Sequence, residues 1–202
     1  MLRPAAALCA LALLAAPAAL AHGAKTHDHA ETRELGAHVH GHASLAVAVE
    51  GAEVAMELRA PGADVVGFEH APETDEDRTR VKEALATLEA PLALFVPPAE
   101  AGCAVASATA TLVALGADGA EEIDLDHAPD HGHDHGEEGH TEFRAEYRLT
   151  CADPARLDRL TFAWFELFPA SEAVAVDLVS DRGARSFEAT REAPALDLGG
   201  AI

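Results

Sequence analysis

"HVHGHASLAVAVEGAEVAMELRAPG", residues 38–62, decides the fold. Leu45, Val47 and Val49 alternate with Ala46, Ala48 and Glu50. Val54, Met56 and Leu58 alternate with Ala55, Glu57 and Arg59, and Glu50-Gly51-Ala52 lies between the two runs. A period of two on both sides of a glycine-containing turn predicts a β-hairpin, which Pro61-Gly62 ends. The three histidines at the head of this stretch add a second question. If the strand begins there, His38, His40 and His42 share one face, with neighbours about 7 Å apart and Val39 turned the other way. A His-x-His pair of this kind can place two imidazoles on one ion, and zinc takes nitrogen, sulfur or carboxylate donors in tetrahedral geometry. The alternative is a solvated polar strand end.

Upstream, residues 1–21 combine one basic residue (Arg3), an apolar Ala/Leu run and Ala19-Leu20-Ala21, an A-x-A site. This pattern predicts a secretory signal peptide. Residues 22–37 are polar and aperiodic and read as a flexible, histidine-containing arm. Residues 38–202 then form one domain.

Downstream, "ADVVGFEH" (63–70) is a short apolar run leading to Pro72. "ETDEDRTRVKEALATLEAP" (73–91) has helical spacing, with Val81, Ala84, Leu85 and Leu88 on one face. Thr74 and Asp77 make a capping box, acidic residues crowd the first turn, and Pro91 marks the end. "CAVASATATLVALGA" (103–117) and "EFRAEYRLTC" (142–151) read as strands. "LDRLTFAWFELFP" (157–169), "AVAVDLVSD" (173–181) and "GARSFEATRE" (183–192) read as three more, with a turn at Ser180–Gly183. About seven strands, one principal helix and no βαβ alternation predict an α+β domain built mainly on antiparallel β-sheet.

The segment from 118 to 141 does not fit this scheme. It reads as a long flexible loop, and it holds His127, His131, His133, His135 and His140 among aspartates, glutamates and glycines. The chain has 12 histidines. One cluster (His22, His27, His29, His38, His40, His42) precedes the hairpin, the second lies in this loop, and only His70 stands apart. Core histidines occur singly on apolar faces, and these do neither. Imidazole suits zinc, copper and nickel alike, and Asp or Glu can complete a shell. His70, in "GFEHAP", has two readings: a ligand together with Glu69, or a turn residue before Ala71-Pro72.

Charge and cysteines narrow the setting. The chain carries 14 Lys+Arg against 35 Asp+Glu, a net charge of −21. Such a surface repels nucleic acid and anionic lipid and attracts cations. Once Cys9 leaves with the signal peptide, Cys103 and Cys151 are an even pair in an oxidising compartment. They predict one disulfide stapling the flanks of the histidine loop. The sequence has no His-Glu-x-x-His, G-x-S-x-G, P-loop or G-x-G-x-x-G motif.

"GAHVHGHASLAVAVEG", "VGFEHAPETDED", a cysteine, a histidine-rich loop, "YRLTC" and Phe168-Pro169 follow one another in this order. In that order the chain is similar to the ZrgA family of periplasmic zinc-binding proteins, from about Ala37 to the C-terminus. The resemblance implies an exported, periplasmic protein that binds Zn2+ and assists its acquisition alongside an ABC-type importer, without catalysis. It also implies metal-binding roles for His38, His40, His42, Glu69 and His70, and for the loop histidines as a group. His27 and His29 fall outside the matched stretch. Two other functions fit the residues: binding or detoxification of copper or nickel, and a zinc-dependent hydrolase built on His38-Val39-His40-Gly41-His42.

Overall fold

The computed structural model describes residues 40–116, 119–126 and 139–202. The proposed signal peptide and arm, together with His38, His127, His131, His133 and His135, lie outside the described residues. Within them, β1 (His42–Glu50) and β2 (Glu53–Pro61) form the expected antiparallel hairpin. Leu45, Val47, Val49, Val54, Met56 and Leu58 face the core, while Ala46, Ala48, Glu50 and Glu57 face out. The alternation therefore works as a burial code: one face of each strand removes its apolar side chains from water.

The remaining strands are β3 (Phe95–Val96), β4 (Cys103–Gly116), β5 (Gly119–Glu122), β6 (His140–Cys151), β7 (Arg159–Phe162), β8 (Ala173–Ser180), β9 (Gly183–Thr190) and β10 (Ala195–Asp197). Seven of them make one sheet in the order β5-β4-β6-β2-β1-β8-β9, and β10-β7-β3 make a small second sheet. Neighbours in the large sheet are antiparallel except β1 and β8, which run parallel with His42 opposite Ala173. The two sheets and the helices share one hydrophobic core. At its centre Phe95 of β3 meets Tyr147 of β6 edge-on, and also contacts Phe162 and Trp164. The α+β class, the mainly antiparallel sheet and the single principal helix all stand.

That helix, α2, runs Asp75–Leu88, after the short α1 (Gly62–Val66). The capping box is complete: the Thr74 hydroxyl accepts from the Asp77 N–H, and the Asp77 carboxylate accepts from the Thr74 N–H. The Thr74 hydroxyl, which also donates to Asp77 Oδ2 at 2.7 Å, and then the Thr74 N–H hold the Asp77 carboxyl below its ordinary value, since the ionised form is the one that accepts. Val81, Ala84 and Leu88 are buried on the predicted face. Two single-turn helices follow, α3 (Pro91–Leu94) and α4 (Trp164–Leu167). No helix among the described residues is long and apolar enough to cross a membrane.

Two expectations need correction, and one segment left without an assignment takes shape. The run 157–169 is not one strand: β7 stops at Phe162 and Trp164–Leu167 turn into α4. A short, mostly apolar stretch carries no clear period to separate strand from helix, and here Trp164 and Phe165 are buried in the turn of α4. The segment 118–141 is not all loop. Gly119–Glu122 pairs with the end of β4, and His140 is already the first residue of β6. Gly-Ala-Glu-Glu is exposed at every position and offers no alternation to read. Residues 63–66 fold into α1, which ends at Gly67 in the left-handed conformation (φ 86°).

α1 is held tightly against β6. A Cβ on Gly62 would collide with the Thr141 hydroxyl oxygen and lie 2.7 Å from the Phe68 carbonyl oxygen. Both neighbours belong to packed structure, and Thr141 is buried. Gly62→Ala is therefore expected to cost about 2 kcal/mol by overpacking. Calorimetric melting should show a fall of roughly 5 °C. An unchanged melting temperature would mean that α1 slides freely on β6.

Candidate metal centre

The centre is built where three segments meet: the turn before β1, the loop after α1 and the start of β6. His40 lies in the turn and Gly41 adopts φ 82°, so the strand begins only at His42. His40 and His42 therefore do not share one strand's register, and His38 lies outside the described residues. A left-handed glycine breaks the alternation, and His40 leaves the sheet plane.

The freed His40 ring reaches Glu69, with Nε2 2.6 Å from Oε1. On the other side His140 Nδ1 stands 2.6 Å from Glu69 Oε2 and hydrogen-bonds to it. One carboxylate is thus clasped by two imidazoles from widely separated parts of the chain. The rings are exposed (66% for His40, 56% for His140), whereas Glu69 is 17% exposed. The His40 contact is close but lacks hydrogen-bond alignment, so Glu69 Oε1 is buried with no hydrogen-bond partner among the described residues.

Glu69 is delivered to this point by α1, whose Gly67 cap turns the chain toward β6. His140 is delivered by the register of β6 on β4, where it sits opposite Leu115. The His40–Gly41–His42 turn is fixed through its central peptide. The Gly41 N–H donates to Asp64 Oδ1 at 2.7 Å. The Gly41 carbonyl accepts from the amides of Glu172 and Ala173 at 2.7 and 2.9 Å. Asp64 is 3% exposed, and its Oδ2 has no hydrogen-bond partner among the described residues. Burial pushes the Asp64 carboxyl up. The Gly41 N–H and the nearby His40 and His42 pull it down, and Glu69 pushes it up again.

The other predicted site residues are placed as follows. His42 is exposed at the start of β1, within electrostatic reach of Asp64. His70 points elsewhere: its ring stacks on Phe68 at 4.6 Å and its Nδ1 donates to the Ala71 carbonyl at 2.8 Å. Of its two readings, these contacts match the turn residue. Cys103 and Cys151 form the predicted disulfide, as directly opposed residues of β4 and β6. It joins the strands that flank the histidine segment, but at their far ends. Across the twelve residues of β6 that is about 36 Å from His140.

No group of three or more His, Cys, Asp or Glu side chains among the described residues is arranged to hold a metal ion. The donor types nevertheless suit zinc: two imidazole nitrogens, and a carboxylate with a buried lone pair that no hydrogen bond uses. Donors about 2.0–2.2 Å from a tetrahedral zinc lie roughly 3.3 Å from one another. The 2.6 Å contacts need to open by less than about 1 Å, and both exposed rings have room to move.

Asp64 was not singled out by its sequence context. An acid within the apolar "ADVV" run is its only signal, and a weak one.

No curated protein matches the chain. A family model described as "ZrgA family zinc uptake protein" matches residues 37–198, which includes both histidines of the clasp, Glu69 and the two cysteines. The resemblance carried by the motifs and this match agree over the same stretch, and the chain belongs to the ZrgA family of zinc uptake proteins.

Proposed function

We propose that the protein binds zinc outside the cytoplasm and supports its uptake by capturing the ion and passing it on. The observation that carries this reading is the Glu69 carboxylate clasped by His40 and His140, in a chain of a zinc uptake family. That family is one of uptake proteins rather than enzymes, and zinc is the cargo. His40, Glu69 and His140 form a fixed site, with His42 at hand on the same turn. His127, His131, His133 and His135 add a second set of imidazoles in the sequence that leads into β6. Fixed donors lose less entropy on binding and hold an ion more tightly, whereas donors without fixed geometry bind weakly and exchange faster. The combination suits hand-over to an importer of the ABC type or to its binding protein in the periplasm. The N-terminal signal sequence and the net charge of −21, which concentrates cations near the surface, agree with that setting.

The test is a calorimetric zinc titration of the mature protein beside a variant lacking residues 127–138. The variant is expected to lose the weaker equivalents and keep a single tight one. If it binds no zinc tightly, the fixed site does not exist. If it binds as many ions as the parent, the loop histidines take no part.

A further inference from the structure

Resting on that zinc reading, we infer that Asp64 is a positioning residue for the site: it fixes His40 and His42 by holding the peptide between them. The geometry is specific. Gly41 lies between the two histidines, and both polar groups of its residue are engaged. Its N–H is bound by a buried carboxylate, and its carbonyl by two amides from the start of β8.

These anchors are themselves fixed. Glu172 and Ala173 enter the parallel pairing with β1. The preceding turn is held by Arg191, which donates to the carbonyls of Phe165, Pro169 and Ser171. Asp64 rides on α1, which is wedged against Thr141 next to His140. A single short helix therefore sets both sides of the clasp: Asp64 for the His40 side, and the Gly62–Thr141 contact for the His140 side.

Position 41 also favours glycine. A Cβ there would lie 3.1 Å from Glu172 Cγ, and the positive φ already disfavours any other residue. Glycine is itself permissive, so the turn depends on its hydrogen bonds for its shape, and Asp64 is the only side chain among the described residues that hydrogen-bonds to Gly41. The second Asp64 oxygen, buried and without a hydrogen bond among the described residues, is a cost that packing alone does not explain. An acceptor aimed at Gly41, beside two imidazoles that take up a cation, explains its retention.

The experiment measures zinc affinity by competition with a chromophoric chelator, on full mature chains carrying Asp64→Ala, Asp64→Asn or Glu69→Ala. Groups that orient metal ligands typically change affinity about 10–100-fold when removed, and Asp64→Ala is expected to fall in that range. Asp64→Asn keeps an oxygen for the Gly41 N–H and is expected to stay within about threefold of the parent, a rescue that loss of packing would not produce. Equal losses in both variants, or none in Asp64→Ala, overturn the positioning role. Wild-type affinity in Glu69→Ala instead overturns the zinc site itself, so the two failures are distinguishable.

Should Asp64→Ala not fold, hydrogen exchange of the Gly41 amide in the zinc-free parent decides. Protection of about a hundredfold or more before any metal is added is expected. An amide that becomes protected only with zinc shows a turn that is not held in advance, and overturns the inference.

Discussion

Glu69→Ala is expected to weaken tight zinc binding about 100-fold while leaving the melting temperature nearly unchanged, because it removes a donor that both imidazoles address. Each carboxylate oxygen faces a histidine nitrogen at 2.6 Å. Without Glu69, His40 and His140 have no common partner, and no other described side chain bridges them. Stability responds differently. Both rings are more than half exposed, and ion pairs with exposed partners contribute little to folding because solvent competes for them. Removing a half-buried carboxylate with an unused lone pair also removes its desolvation cost. Affinity by chelator competition and melting by calorimetry, on the same samples, test the prediction. Parent-like affinity sinks the clasp as a zinc site. A large loss of both stability and affinity marks Glu69 as structural.

Replacing both cysteines by alanine should have the opposite profile. The Cys103–Cys151 bond spans a sequence separation of 48, and in the chain-entropy picture opening such a loop costs about 4 kcal/mol. For a chain of this size that lowers the melting temperature by about 10 °C. Alanine is the appropriate replacement because Cys151 is fully buried and a serine hydroxyl there would add its own penalty. Zinc affinity at room temperature should be preserved, since the bond lies at the far end of β6 from His140. A melting temperature within about two degrees of the parent contradicts the stabilising role. A loss of zinc binding in protein that remains folded contradicts the separation of the two ends.

The parts of the fold legible in the sequence are those where one short-range rule governs many residues. The β1–β2 hairpin follows from strict alternation around Gly51, and α2 from its capping box and apolar face. β5 was not legible because Gly-Ala-Glu-Glu is stabilised by pairing with β4 and buries nothing. α4 was not legible because its four residues are too few to show a helical period. The same division runs through the site. The His-x-His turn is visible as a motif, and histidine clustering marks His140 as a candidate. That Glu69 stands between His40 and His140, while His70 turns to Phe68 and Ala71, depends on where α1 docks on β6. The Gly62–Thr141 contact sets that docking, and nothing near Glu69 in the sequence reports it. Asp64 was invisible for a related reason: its partner is a backbone N–H, which leaves no mark in residue identities.

The parallel pairing of β1 with β8 has a consequence for biosynthesis. Gly41 lies near the start of the described residues, but its carbonyl is satisfied by Glu172 and Ala173, about 130 residues further on. Contacts of such long sequence separation form late, after the intervening chain has been ordered. A partly synthesised chain has β1 and β2 but not the strand that closes the turn. The turn reaches its final shape only when β8 arrives, so on the proposed zinc reading a stalled chain lacks the preset geometry of the site.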